Sequence, residues 1–228
     1  MDLLSRLVDI DNRRSLSARL RRKRFILFQR LLGRLPRPVR ILDVGGTESF
    51  WQTMGLQDPA LAQVLLLNIH PVKTSLPNFR SVRGDARDLS PFGEGEFDVV
   101  FSNSVIEHVG DFDDQRRMAD EVRRVGRRYF VQTPNYYFPV EPHFVCPLFQ
   151  FLPEAARARL VQHFALGTYE RLPERARALE AVREFRLLSL GELKRLFPGA
   201  TIYKEKWLGL TKSFVAFEGW DAPLPGRA

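Results

Sequence analysis

The chain has 228 residues, 44% of them apolar, and 35 Lys and Arg against 27 Asp and Glu leave a net charge of +8. That much apolar material fills one sizeable core and excludes a disordered chain. A single cysteine, Cys146, excludes an intrachain disulfide, and no Cys/His cluster has zinc-ligand spacing, so no metal is implied and the expected compartment is the reducing cytoplasm.

The positive charge is concentrated. Residues 1–40 carry twelve Arg and Lys against three acids, +9, which leaves −1 for the other 188. A nucleic-acid surface spread over the core would need that basic character to continue, so nucleic acid is not the first expectation. The first apolar stretch is broken by Asp9 and Asp11 before it could form a signal-peptide core. No uncharged apolar run reaches the roughly 18 residues of a spanning helix.

From Ser15 to Leu35, apolar residues recur at Leu16, Leu20, Leu27, Phe28, Leu31, Leu32 and Leu35 with arginines between them, which predicts an amphipathic helix ended by Pro36 and Pro38. Residues 1–38 are therefore read as a basic helical extension. Val39 to Val44 is a β-branched run stopping at Gly45-Gly46, as a buried parallel strand entering a tight turn would. Further strands are expected at Val64–Ile69, Arg80–Asp85, Phe97–Asn103 and Tyr129–Thr133, with a helix at Asp113–Gly126. Two β-prone segments, Ala200–Lys206 and Lys212–Glu218, predict a hairpin on one edge. Alternation of this kind predicts an α/β fold: a Rossmann-like, seven-stranded, mostly parallel sheet with an antiparallel terminal hairpin and helices on both faces. The main domain is placed at 39–218, with an insertion at about 134–188 and a tail at 219–228.

In such a sheet, ligands bind beyond the carboxyl ends of the strands, which here carry Asp43-Val44-Gly45-Gly46, Asn68-Ile69, Asp85-Ala86 and Ser102-Asn103. The glycines let backbone approach a ligand, and a polar group ending the second strand is placed to hydrogen-bond a ribose, so a nucleoside-containing cofactor is expected. Ile41 to Gly46, Gly84-Asp85-Ala86-Arg87-Asp88-Leu89 and Phe97 to Val109, taken in order, resemble the motifs of class I S-adenosylmethionine-dependent methyltransferases of the type 11 kind. The resemblance covers roughly 39–218. It implies S-adenosyl-L-methionine as cofactor, with Gly45 and Gly46 beside its methionine part, Asp43 orienting their loop, Asn68 and Ile69 at the ribose, Asp85 and Ala86 at the adenine, and Ser102 and Asn103 edging the methionine side. Two departures stand out: Thr47 and Ser49 occupy the second and third glycine positions of the usual loop, and Asn68 replaces the usual ribose-binding acid. Asn still offers one acceptor oxygen, a weaker partner than a carboxylate.

After the fifth strand, Thr133-Pro134-Asn135 and Glu141-Pro142-His143 are similar to a pattern in bacterial methyltransferases of this class. His143 has a reference pKa suited to proton abstraction, and Glu141 can orient it or bind a substrate hydroxyl; both can equally pin a proline-stiffened loop. His108 shapes a pocket or starts a helix, His70 and His163 are surface residues, and Cys146 is expected to be buried. The apolar run His143–Pro153 suits a cover over an active site. With the basic helix, it also suits peripheral contact with an anionic membrane. The expected activity is methyl transfer to an oxygen or nitrogen of a small-molecule, sugar or lipid-linked acceptor. An RNA methyltransferase and a non-catalytic cofactor-binding or partner-binding relative remain as alternatives, and a nicotinamide dehydrogenase is disfavoured because Gly-x-Gly-x-x-Gly is absent.

Overall fold

The computed structural model describes residues 16–220. Its first half runs α1 (Leu16–Leu32), β1 (Val39–Val44), α2 (Glu48–Thr53), β2 (Ala62–Asn68), β3 (Phe79–Arg83), β4 (Val99–Asn103), α3 (Phe112–Val125) and β5 (Tyr129–Pro134). The second half runs β6 (Val140–Glu141), β7 (Cys146–Pro147), α4 (Glu154–His163), α5 (Arg175–Arg183), α6 (Leu190–Leu196), β8 (Thr201–Trp207) and β9 (Leu210–Glu218). Single 3-10 turns lie at Ile106–His108 and Phe149–Phe151.

Seven strands form one sheet in the order β3-β2-β1-β4-β5-β9-β8, parallel from β3 to β5 and antiparallel at β9 and β8. This is the expected fold. The central strands are apolar on both faces because helices cover both. Leu42, Val44, Val100 and Val131 pack on one side with Met118, Ala119 and Val122 of α3 and Leu193 and Leu196 of α6. Their neighbours Ile41, Val99, Phe101 and Phe130 pack on the other with Phe25, Phe28, Leu31 and Leu32 of α1 and Trp51 of α2.

The helix termini are chemically specified. Asp111 and Asp114 form a capping box on α3, whose last turn carries Arg123 and Arg124, and Ser189 and Glu192 do the same for α6. The expected helix over 15–35 ends earlier: Gly33 donates to Gln29 O and the chain leaves toward Pro36. Far from being peripheral, α1 supplies part of the main core.

Residues 135–188 fold largely on themselves. Phe144, Phe149, Ala158, Val161, Ala178 and Val182 make a separate apolar cluster under Tyr169 and Phe185. Cys146 at its edge is half-buried rather than fully buried. Among the described residues no helix is long and apolar enough to cross a membrane.

Candidate active site

The carboxyl ends of β1 to β3 enclose a cavity of about 420 Å³ lined by Gly45, Asn68, Ile69, Asp85, Ala86 and Val105, among others. Its floor is the turn after β1. Gly45 has φ +78°, and an added Cβ would lie 2.4 Å from Val105 Cγ2. At Gly46 a Cβ would lie 1.6 Å from Asp43 Oδ2, so only glycine fits above that carboxylate. Asn68 Nδ2 donates to Gly46 O at 2.9 Å, tying the second strand's end to the loop and leaving Asn68 Oδ1 as an acceptor.

Asp43 points inward from this loop. It is 1% exposed, Trp51 Nε1 donates to its Oδ2 at 2.6 Å, and its Oδ1 is buried without a partner. Burial pushes its pKa up to about 7, although the Trp51 bond acts the other way. Asp85 is gripped by the guanidinium of Arg87, with Nε to Oδ1 at 3.0 Å and one terminal nitrogen to Oδ2 at 2.6 Å. Those hydrogen bonds hold its carboxyl below the usual range. Oδ1 also accepts from the Arg87 backbone N–H at 2.9 Å, and Oδ2 from Nε at 3.1 Å, so Arg87 answers both oxygens.

A second cavity of about 290 Å³ adjoins, walled by the ends of β4 and β5, the insertion, β9 and α1. His108 lines both cavities. Strand alternation sends Asn103 toward this second space, whereas Ser102 is fully buried with no partner for its hydroxyl and lines neither cavity. Ser104 follows with φ +56°, in the left-handed region, and its hydroxyl and Gln132 Oε1 bond at 2.9 Å.

The insertion presents His143. Its Nδ1 bonds Glu141 Oε1 at 2.7 Å, and its ring stacks on Phe185 with centroids 3.9 Å apart and planes 11° from parallel. Glu141 Oε2 accepts from the backbone N–H of His143 at 2.7 Å and of Phe144 at 2.6 Å. The carboxylate is therefore consumed in holding the imidazole, and Nε2 is the nitrogen left over. The His108 ring meets the His143 ring edge-on at 5.1 Å. Beneath them Glu107 is fully buried; Thr133 Oγ1 donates to its Oε2 at 3.1 Å and Oε1 has no partner. Burial raises its pKa to about 7.

Three cations border the same space. Arg24 of α1 donates to Glu205 through Nε at 3.0 Å and a terminal nitrogen at 2.7 Å, and to Gln132 Oε1 at 2.7 Å and Asn103 Oδ1. Ser213 also donates to Glu205. Arg21 and Lys212 line the cavity as well. Burial lowers the Lys212 pKa, and the charges of Arg24 and Arg21 lower it further.

Residues 42–129 match the family model described as "Methyltransferase domain". The sheet order and the glycine turn described above belong to that same stretch and its continuation. Over that stretch the chain is similar to class I methyltransferase domains. Its fold is shared with the CurJ carbon methyltransferase (TM-score 0.57, 11% identity, 90% of this chain and 55% of that one). It is shared too with a SAM-dependent methyltransferase from Aquifex aeolicus (TM-score 0.52, 11% identity, 95% and 98%). A third similar structure is the 1,6-didemethyltoxoflavin-N1-methyltransferase of Burkholderia thailandensis with bound S-adenosylhomocysteine (TM-score 0.50, 15% identity, 87% and 76%). An uncharacterized protein of Mycobacterium tuberculosis is 45% identical over 56 residues, and the match spans 25% of this chain and 19% of that protein.

Of the residues singled out by sequence, Gly45, Asn68, Ile69, Asp85 and Ala86 come together around one cavity of the methyltransferase domain, and Asn103 and His143 around the other. Asp43 and Glu141 stand behind them as supports for Gly46 and His143. Sequence reasoning did not find Arg24, Glu107, Glu205 or Phe185. Arg24 meets Glu205 across 181 residues and Glu107 meets Thr133 across 26, while Phe185 stacks on His143 from a distant part of the chain, beyond any local pattern.

Proposed function

We propose that the chain transfers the methyl group of S-adenosyl-L-methionine to an oxygen or nitrogen of a small-molecule acceptor, or of the reactive end of a sugar or lipid-linked one, held in the 290 Å³ cavity. The observation that carries this reading is the meeting of the two cavities at His108, with an oriented imidazole, His143, on the acceptor side.

The residues fit the cofactor. The turn packs so closely on Val105 and Asp43 that only glycine fits at 45 and 46, which leaves bare backbone at the cavity that Gly45 lines; Asn68 keeps one acceptor oxygen for ribose hydroxyls, and Asp85 and Ala86 flank the remaining wall toward which an adenine would lie. When bound, the sulfonium supplies an electrophilic methyl group for in-line displacement. The chain's part is to position the nucleophile and take its proton. Glu141 accepts the His143 Nδ1 hydrogen, which fixes the tautomer and leaves Nε2 as proton acceptor. Phe185 keeps the ring in plane. A cavity of 290 Å³ sits at the small end of ligand sites, which favours a compact acceptor over a nucleic-acid strand.

Titration calorimetry with S-adenosylhomocysteine, followed by labelled methyl transfer to an acceptor panel, tests the reading. His143→Ala is expected to lower kcat by roughly 10²–10⁴-fold while leaving S-adenosylhomocysteine affinity within about 2-fold. Absence of S-adenosylhomocysteine binding to the wild-type chain would refute it and favour a partner-binding role.

The insertion supports one refinement. Tyr137, Phe151, Leu148 and Leu152 are exposed, and the rings of Tyr137 and Phe151 stack at 6.4 Å beside Tyr136. Such a patch suits peripheral contact with an anionic membrane carrying a lipid-linked acceptor. Co-sedimentation with anionic vesicles that Tyr137→Ser/Phe151→Ser abolishes is the expected result, and wild-type protein left in the supernatant excludes it.

A further inference from the structure

One cluster of side chains offers more than proton transfer requires. Glu107, His108 and His143 each place a ligand atom within 4.8 Å of the other two. Glu107 is 0% exposed, and its Oε1 has no hydrogen-bond partner, an expensive state for a carboxylate. A buried carboxylate of this kind is normally paired with a cation or bound to a metal, and Thr133 answers only its other oxygen.

We propose that Glu107, His108 and His143 form a binding site for a divalent first-row metal of the zinc class, beyond the methyl-transfer reading, with which it shares His143. Two imidazoles and one carboxylate suit zinc, manganese, iron(II) or cobalt, whereas magnesium and calcium favour all-oxygen sets. Three protein ligands with an open position are the pattern of reactive zinc sites, and here the open position faces the acceptor cavity, which His108 and His143 both line. The supporting shell is already built: Glu141 holds His143 Nδ1 at 2.7 Å and so directs Nε2 toward the ligand position. Bonds of about 2.0–2.2 Å keep ligand atoms within roughly 4 Å of one another. The exposed His108 supplies the small rotation that brings the set in. Metal and proton acceptor would use the same nitrogen, so they are alternative states of one ring. Glu107 and His143 are 36 positions apart, which is why the spacing of the sequence implied no metal.

The test is calorimetry of the EDTA-treated full chain with Zn²⁺, backed by the visible spectrum of Co²⁺ added alone. The expected result is one equivalent bound by wild type, with Co²⁺ giving the absorption of a low-coordinate nitrogen and oxygen site, and no binding of Mg²⁺ at the same concentration. Glu107→Gln and His143→Ala should lose that equivalent, Glu141→Gln should weaken it by roughly 10–100-fold, and His70→Ala should keep it. Circular dichroism and S-adenosylhomocysteine binding report whether each variant is folded. No Zn²⁺ binding by wild type, or an equivalent that survives in folded Glu107→Gln or is lost in His70→Ala, overturns the proposal. S-adenosylhomocysteine binding is read separately, so failure here leaves the methyl-transfer reading standing or falling on its own measurement.

Discussion

Replacing Arg24 with Ala should unfold the domain far more easily than its position in a basic helix suggests. Arg24 is 9% exposed and Glu205 2%, and the guanidinium meets the carboxylate through two nitrogens while also serving Gln132 and Asn103. Removing the cation takes from a buried carboxylate the partner that meets it through two nitrogens, and breaking a buried pair in this way costs about 3–5 kcal/mol. For a domain of this size each kcal/mol lowers Tm by about 2–4 °C, so the variant should melt roughly 6–20 °C earlier. Arg24→Met combined with Glu205→Leu removes both charges and fills similar volume, and should recover most of the loss. Urea unfolding of wild type, both single variants and the double variant gives the coupling energy directly. A loss below about 1 kcal/mol for Arg24→Ala, or purely additive single effects, would show that the pair is effectively solvated and that the argument from burial is wrong.

Other consequences are equally measurable. The Asp43 pKa is raised to about 7, so the folded chain keeps a proton that the unfolded chain releases near pH 4, and stability present at acid pH should fall as pH rises from about 4 through 7, by up to roughly 4 kcal/mol. Asp43→Asn keeps an acceptor for Trp51 and should flatten that part of the pH–stability curve measured by urea unfolding; an unchanged slope counts against it. Trp51→Phe removes the one donor to Asp43 and should cost about 1–3 kcal/mol in the same assay, more at pH 8 than at pH 5. Gly46→Ala drives a methyl group into Asp43 and should weaken S-adenosylhomocysteine binding by at least roughly 10-fold in calorimetry, and wild-type affinity would show that the turn has room to move.

The sheet was legible because its signals are local. Apolar runs ending at polar residues mark β1, β2, β4 and β5, and the glycine pair marks the turn where a ligand approaches. The Glu141–His143 pair was visible for the same reason, the partners being two positions apart. Asp43 was harder to read: nothing nearby foretold that Trp51, on a six-residue helix absent from the sequence reading, would turn it inward. Ser102 and Asn103 were expected together at the ligand, yet the period of two along a strand lets only one of them face it. Arg24 did not stand out from the other arginines of the basic segment, because a buried cation looks like any of them until its partner, 181 residues later, is brought beside it.

The insertion carries an apolar centre of its own, and of its buried residues Leu188 alone, at its last position, belongs to a cluster that flanks the sheet. On the proposed reading, the part of the chain that faces an acceptor can therefore be rewritten as a cassette, its loops and helices exchanged between Asn135 and Leu188, while the glycine turn and the strand ends beneath it keep their shape. Under the methyl-transfer proposal, divergence of what is methylated and preservation of how it is methylated fall to different pieces of chain.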